Sequence, residues 1–327
     1  MKTMSAVWYE KNGTPEVLQF GETAMPRPAA NEVLVKVCAS GVNPSDVKTR
    51  AGARGEMSFA RQIPHSDGAG IIEATGRNIS ESRIGERVWL WNAAIKRSFG
   101  TCAQYIALPA KQVVPLDSQT SFTAGACFGV PLMTAVYGAC SGEKIKGKTI
   151  LITGGAGAVG FYAIQAAKFF GAKVITTVSN EEKKAHAALA NPDNIINYKS
   201  EDVAERVLEI TGGAGVDRIM EVEFGGNAET SLKVIKPGGV IVGYGSAACP
   251  TPALPFYPLM FKNISLRMFL IYGIGTIARK KTITAIQKME PHLIHAVAKT
   301  HPLSKTAEAH QLVESGKVIG NIVVETA

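Results

Sequence analysis

The 327-residue sequence contains no run of about 18 uninterrupted apolar residues, so no segment reads as a membrane-spanning helix. Its opening, MKTMSAVWYEKNG, lacks the apolar stretch of a signal peptide, and the expectation is a cytoplasmic protein. Cysteine is scarce: Cys38, Cys102, Cys127, Cys140 and Cys249 are odd in number, widely spaced and without a CxxC pair. That argues against a disulfide framework or a structural zinc ribbon and leaves buried or incidental thiols. No internal repeat, low-complexity tract, helix-turn-helix, RNA-recognition or zinc-finger signature is present. The formal charge is +8, yet the densest basic run, Arg279-Lys280-Lys281, holds three charges without interleaved aromatics. A solvated helix face accounts for that run, and a basic face also draws in an anionic cofactor, so nucleic acid is not the expected partner.

What is present reads as a globular enzyme. Hydrophobic residues make up 46% and charged residues 19%, and the length is about twice that of a typical domain, which predicts two domains. Up to about residue 120 the chain reads as short strands punctuated by Gly and Pro: SAVWY, EVLVKVCAS, GAGIIEAT, ERVWLWN, CAQYIAL and KQVVPL. From there strands alternate with helices. TILITG precedes the helical AVGFYAIQAAKFFG, and AKVITTVS, NIIN, DRIMEVE and GVIVGYG follow, a pattern that calls for a doubly wound α/β fold with a parallel sheet. The C-terminal part predicts a strand at SLRMFLI, helices at EPHLIHAVAK and AEAHQLVESG, and a last strand at GNIVVE. The predicted division is a discontinuous β-rich domain, residues 1–122 and 265–327, around an α/β domain, residues 123–264, with ligands in the cleft between them.

After TILIT comes GGAGAVG, in which Gly155, Gly157 and Gly160 satisfy G-x-G-x-x-G and Gly154 precedes them. Between a strand and a helix, such a loop lets the backbone approach a pyrophosphate at the helix N-terminus. Gly154, Gly155, Ala156, Gly157, Ala158, Val159 and Gly160 are therefore the candidate cofactor loop. The second strand ends on Val178-Ser179, where NAD-binding folds carry an acid for the ribose 2′-hydroxyl. Ser179, Asn180 and Lys183 suit a 2′-phosphate, so NADPH is the expected cofactor. The alternative makes Lys183 a solvated lysine and Glu181 or Glu182 the ribose ligand. Gly245 and Ser246, at the end of a fifth parallel strand, leave room for a flat nicotinamide, or simply terminate the strand.

With these motifs in place the chain resembles the medium-chain dehydrogenases/reductases, and within them the zinc-free quinone oxidoreductase branch that includes zeta-crystallin. The resemblance rests on CASGVNPSDVKTRAG, IPHSDGAGIIEATG, GERVWLWN, FGTCAQYIALPA, GVPLMTA, ITGGAGAVG and the INY at Ile196 to Tyr198, and it spans nearly the whole chain. It implies a Rossmann domain joined to a discontinuous GroES-like catalytic domain. In zinc-dependent relatives the segment matching GVNPSD carries a cysteine ligand, and the one matching PHSDGAG a histidine directly before an acid. Register puts Asn43 and Ser66 at those positions, with His65 one residue too early and the third ligand position close to Gly129. A catalytic zinc needs three protein ligands and an open position, so no metal is expected, and His65 reads as a locally bonded loop histidine.

Without a Lewis acid the acceptor must take hydride readily by itself, as quinones do because the product is aromatic. The main expectation is an NADPH-dependent quinone reductase; an NADPH-dependent enone or alkenal reductase is the alternative, and an NADPH-binding structural or RNA-binding crystallin-like protein represents a different class. By resemblance Asn43 and Asp46 lie near the nicotinamide; Lys48 departs from the family pattern, standing where many relatives have a tyrosine, and with Arg50 offers positive charge to a developing oxyanion, so Asn43, Asp46 and Lys48 are the candidate catalytic residues. Asn43 has a structural alternative, capping a turn before Pro44. Tyr198 and Lys183 match adenosine-phosphate contacts, Asn321 falls in the C-terminal segment that approaches the cofactor, and no side chain stands out as a proton donor. The apolar run SLRMFLIYGI predicts a strand paired across a homodimer interface, or else burial in a monomer core.

Overall fold

The computed structural model describes residues 2–326, and the chain divides into two units. The first runs to Pro131 and resumes at His295; the second is Leu132–Ile294. The first unit opens with strands β1 (Thr3–Trp8), β2 (Gln19–Ala24) and β3 (Glu32–Val42), helix α1 (Pro44–Arg50), and strands β4 (Asp67–Thr75), β5 (Arg87–Leu90), β6 (Tyr105–Pro109) and β7 (Val113–Pro115), followed by the short helix α2 (Phe122–Gly125). The second unit holds α3 (Met133–Cys140), β8 (Thr149–Ile152), α4 (Ala158–Phe169), β9 (Lys173–Val178), α5 (Glu181–Ala188), β10 (Asn194–Asn197), α6 (Val203–Ile210), β11 (Val216–Glu221), α7 (Phe224–Val234), β12 (Ile235–Gly243), α8 (Phe256–Phe261), β13 (Ser265–Met268) and α9 (Thr276–Met289). The chain then returns to the first unit with β14 (Val297–Pro302), α10 (Thr306–Glu314) and β15 (Asn321–Glu325).

In the first unit β3 is the central strand. Its Val33, Val35 and Val37 alternate along one face and pack with Ile72, Val88 and Ile106 in a single buried cluster. The sheet runs β14-β15-β3-β4-β5-β7, with β6 also on β3, and β15 lies antiparallel to β3 from Ile322 opposite Val42 to Glu325 opposite Ala39. The C-terminal strand thus completes a sheet begun by the N-terminal third, making this β-rich domain discontinuous.

The second unit is the Rossmann domain. Its six strands run β10-β9-β8-β11-β12-β13, all parallel. Strand order reverses between β8 and β11, where helices leave on opposite faces and open a crevice at the carboxyl ends. Because both faces are covered, strands read as apolar runs rather than alternations. Ile150, Leu151 and Ile152 of β8 and Ile219 of β11 are almost fully buried, each such side chain contributing about 1.5–3 kcal/mol.

Three local expectations change in the tertiary context. Residues 265–294, grouped by the sequence with the β-rich module, belong to the second unit, because β13 adds in parallel to β12. The stretch EPHLIHAVAK is not a helix: a 3-10 turn at Glu290–His292 gives way to β14, which pairs in parallel with β15. A short apolar run with no clear period is decided by its partner, and here the partner is a strand. Strand β2, with only Phe20 large and apolar, escapes the sequence pattern because it pairs with β1 on an exposed ribbon.

Candidate active site

In the second unit the glycine loop joins β8 to α4 at the sheet's carboxyl edge. Gly154 has φ 71°, which a side chain rarely adopts, and a Cβ on Gly160 would lie 2.2 Å from the Gly154 carbonyl oxygen. The loop is tied down by backbone bonds from Gly155 N to Thr177 O at 3.0 Å and from Gly154 N to Thr177 Oγ1 at 3.1 Å. Helix α4 begins after Gly157 with no side-chain cap. Its first-turn amides at Ala158, Val159 and Gly160 are therefore left without a side-chain cap, the kind of helix end that could hold an anion. By contrast α5 is capped by Asn180, whose side-chain oxygen accepts from Lys183 N at 2.8 Å, and α6 by Asp202.

Ser179, Asn180, Lys183 and Tyr198 gather at the end of β9. Tyr198 N donates to Val178 O at 3.0 Å, placing its exposed ring beside the strand end. Glu181 and Glu182 lie in the first turn of α5, and Glu181 pairs with Lys184 at 3.7 Å. Further along the edge, the Ser246 hydroxyl accepts from Gly225 N at 2.8 Å and donates to Cys249 O at 2.5 Å, so it is already committed within the protein. Two residues absent from the sequence reading shape this edge. Buried Glu221 accepts from Thr153 Oγ1 at 2.7 Å and Asn227 Nδ2 at 2.9 Å, and burial raises its pKa. Glu223 caps α7 and accepts from the amides of Ala247 and Ala248 at 2.7 and 2.9 Å, holding the loop after Ser246.

In the first unit a second cluster forms at the start of α1. Asn43 is the N-cap, with Pro44 following, and its backbone N donates to Asp46 Oδ2 at 2.9 Å. The Asn43 Nδ2 donates to Asp67 Oδ2 at 2.8 Å, and Val130 N donates to the same oxygen at 2.9 Å. Asp67 Oδ1 has no hydrogen-bond partner, and Gly129 packs against it so tightly that a Cβ there would sit 2.3 Å away. Burial, followed by the neighbouring Asp46 charge, pushes the Asp67 pKa well above the usual carboxylate range. Burial likewise raises Asp46 to about 6, against hydrogen bonds from Asn43. The cluster is thus a carboxamide held by a buried carboxyl group whose proton affinity is raised.

Asp67 is the functional candidate the sequence reading used only as a register mark; an acid at the start of a strand, among glycines, was the available signal. Lys48 does not join the cluster. It is exposed, because residues two apart on a helix face nearly opposite ways, while Asp46 points inward. Arg50 is fully buried and paired with Glu314 of α10, so its charge is spent inside the unit. Asn321, at the start of β15, donates both its backbone N and its Nδ2 to Ala296 O, at 2.7 and 3.1 Å.

His65 is buried, in the left-handed region at φ 77°, and burial lowers its pKa to about 3. Its Nε2 lies 2.8 Å from His310 Nε2 and its Nδ1 2.8 Å from Ser40 Oγ, which is 2.7 Å from Thr101 Oγ1. Thr101 donates to the Asp67 carbonyl. One proton arrangement satisfies the chain: Ser40 donates to Thr101, His65 Nδ1–H to Ser40, and His310 Nε2–H to His65. The bonds of His65 are not local, as the sequence suggested, but run to Ser40 of β3 and to His310 of α10, 245 residues away, and the chain anchors the backbone that presents Asp67. Among the described residues, no three His, Cys, Asp or Glu side chains group as a metal ion would need.

Comparison with known proteins agrees with both units. Residues 29–118 match the family model "Alcohol dehydrogenase GroES-like domain" and residues 158–290 the model "Zinc-binding dehydrogenase". A quinone oxidoreductase of Sus scrofa is 30% identical over 328 aligned positions, covering 99% of this chain and 98% of that protein. The structure of Escherichia coli quinone oxidoreductase complexed with NADPH superposes with a TM-score of 0.86 at 27% identity, covering 98% of this chain and 99% of that one. An NAD-dependent alcohol dehydrogenase structure superposes at 0.90 with 25% identity, covering 99% and 100%. Two matching domain models and near-complete coverage by quinone oxidoreductases lead to one assignment: this chain belongs to the medium-chain dehydrogenases/reductases, in their zinc-independent quinone oxidoreductase branch.

Proposed function

We propose that the protein is an NADPH-dependent quinone reductase. The observation that carries the reading is that the uncapped end of α4 and the Ser179, Asn180, Lys183 and Tyr198 group lie on the same carboxyl edge of one sheet, on adjacent strands β8 and β9. The first suits a pyrophosphate and the second a 2′-phosphate, with Ser179 in place of the acid that would repel it. The relatives include a quinone oxidoreductase whose structure contains NADPH, which supports the same cofactor here.

When bound, NADPH supplies a hydride to an acceptor that needs no Lewis acid, since a quinone becomes aromatic on reduction. The protein's part is to bind, orient and exclude water. Gly154 to Gly160 hold the pyrophosphate, and Lys183 with Ser179 holds the 2′-phosphate. Gly245 lets the chain turn tightly against the Val222 backbone after β12, and Asn43, oriented by Asp67, offers an amide to an acceptor oxygen. Asp46 keeps the Asn43 backbone in place. Solvent protonates the product. The test is NADPH consumption against a panel of quinones and enals with product identification. Hydroquinone formation supports the reading; saturable NADPH binding with no turnover on quinones refutes it, and a saturated carbonyl as the sole product replaces it with double-bond reduction.

Strand β13 is the free edge of the parallel sheet, with Met268 and Leu270 exposed beside it. An apolar edge of this kind pairs with a second copy, so the working form is a homodimer, and a monomeric mass by light scattering refutes this. The free thiols fit a reducing, cytoplasmic setting.

A further inference from the structure

Away from the glycine loop, the second unit contains a cavity of about 900 Å³. It is walled by Val136 and Cys140 of α3, Arg267 of β13, and Ile277, Lys281 and Ala285 of α9. No residue of the Gly154–Gly160 loop, of the Ser179–Lys183 group or of the Gly245-Ser246 turn lines it, so it is separate from the cofactor edge.

Positive charge accumulates around this cavity. Helix α9 reads TIARKKTITAIQKM, with no acid, and of its four basic residues Lys281 lines the cavity beside Arg267. Arg218 of β11 lies 2% exposed behind the wall and donates to Gly138 O at 3.0 Å and Ser141 O at 2.9 Å. Burial and the nearby Arg267 charge both lower its proton affinity. Glu143, the acid whose charge reaches these arginines, is itself bound to Lys148 at 2.6 Å.

A plain reading makes the two arginines caps for the C-terminal carbonyls of α3. It accounts for Arg218, both of whose terminal nitrogens are used. It accounts for only one nitrogen of Arg267, whose Nη1 meets Ser141 O at 3.0 Å and Ser141 Oγ at 3.1 Å. It does not involve Lys281, whose exposed side chain lines the cavity. A guanidinium with an unused edge, and a lysine flanked on its own helix face by Ile277 and Ala285 with Val136 also lining the cavity, suit a ligand with an anionic head and an apolar body. The volume falls within the roughly 300–1,000 Å³ of small-molecule pockets.

We propose that this cavity is a second ligand site, for a monocarboxylate with an apolar chain or ring, its carboxylate held by Arg267 and Lys281 and its body by Val136, Ile277 and Ala285. The site is independent of the cofactor site and of the reaction proposed above.

The experiment is calorimetric titration of the full-length protein with octanoate, with and without NADPH, beside octanol and inorganic phosphate. Octanoate saturates at one site per chain, equally well in the presence of NADPH. Lys281→Gln and Arg267→Gln each weaken it by about tenfold, the expected loss of one charge-assisted contact, while NADPH affinity stays unchanged in Lys281→Gln. Octanol and phosphate, each carrying half of the required chemistry, do not saturate over the same range. A site with a Kd of about 1 mM is nine-tenths filled at about 10 mM octanoate, so the absence of saturation there overturns the proposal. Displacement by NADPH, equal binding of octanol, or wild-type binding in Lys281→Gln also overturns it. If Arg267→Gln fails to fold because Ser141 loses one of its two arginine partners, Lys281→Gln alone decides.

Discussion

Replacing Asp67 is the sharpest test of how the Asn43 cluster is built. Asp67 Oδ2 is the acceptor for both Asn43 Nδ2 and Val130 N, at 2.8 and 2.9 Å, in a fully buried setting. Asp67→Ala leaves two buried donors without an acceptor. Each such orphan costs about 1–3 kcal/mol, so the variant loses about 2–6 kcal/mol. Asp67→Asn keeps one oxygen for the two donors and puts an uncharged NH₂ where Oδ1 has no partner. That NH₂ is then itself a buried donor without a partner, so this variant loses about 1–3 kcal/mol, less than Asp67→Ala. The assay is urea unfolding at neutral pH followed by tryptophan fluorescence. Trp8, Trp89 and Trp91 are the chain's three tryptophans and all belong to the first unit, so the signal reports the unit that holds the cluster. Two results refute the reasoning: an Asp67→Ala loss under about 1 kcal/mol, or an Asp67→Asn loss equal to it, which would make the negative charge rather than the acceptor geometry the stabilising element.

Asp46 gives a pH-dependent prediction with a definite sign. Its folded pKa is raised from 3.8 to about 6, so on raising the pH the unfolded chain loses its proton first. Wild-type stability relative to Asp46→Asn then falls between about pH 4 and pH 6, by up to about 3 kcal/mol, and is level above; a difference that stays flat or rises across that window in paired denaturation curves refutes the shift. Gly160→Val drives side-chain carbon into the Gly154 carbonyl and weakens NADPH by more than about tenfold in a fluorescence titration; a change under twofold means that the loop does not hold the pyrophosphate. Lys183→Ala removes a charge-assisted contact worth about 1.5–3 kcal/mol, so NADPH affinity drops roughly ten- to a hundredfold while NADH affinity is unchanged; equal loss for both nucleotides assigns Lys183 to something other than the 2′-phosphate. Lys48→Ala, on the exposed face of α1, leaves turnover within about twofold, as surface substitutions do; a larger fall in kcat restores the lysine to the reaction.

Much of this protein is legible in one dimension because local chemistry decides it. A strand, a glycine loop and a helix must follow one another for a backbone to approach a phosphate, so GGAGAVG after TILIT announces the loop, and alternating apolar segments announce a parallel sheet. The missing acid at Ser179 and the non-ligating Asn43 and Ser66 are likewise readable, since they are matters of residue identity at a register position. The tertiary structure decided what depends on partners far apart in the chain. The module to which residues 265–294 belong is settled by the pairing of β13 with β12, and the strand at Val297–Pro302 by its pairing with β15. Lys48 and Arg50 look alike as nearby cations until the face of α1 and the carboxylate of Glu314 separate them. His65 acquires its role from Ser40 and His310, and Asp67 its high proton affinity from burial against Gly129 and Asp46. Desolvation and long-range hydrogen bonding are properties of surroundings rather than of a residue, and surroundings exist only once the chain has folded.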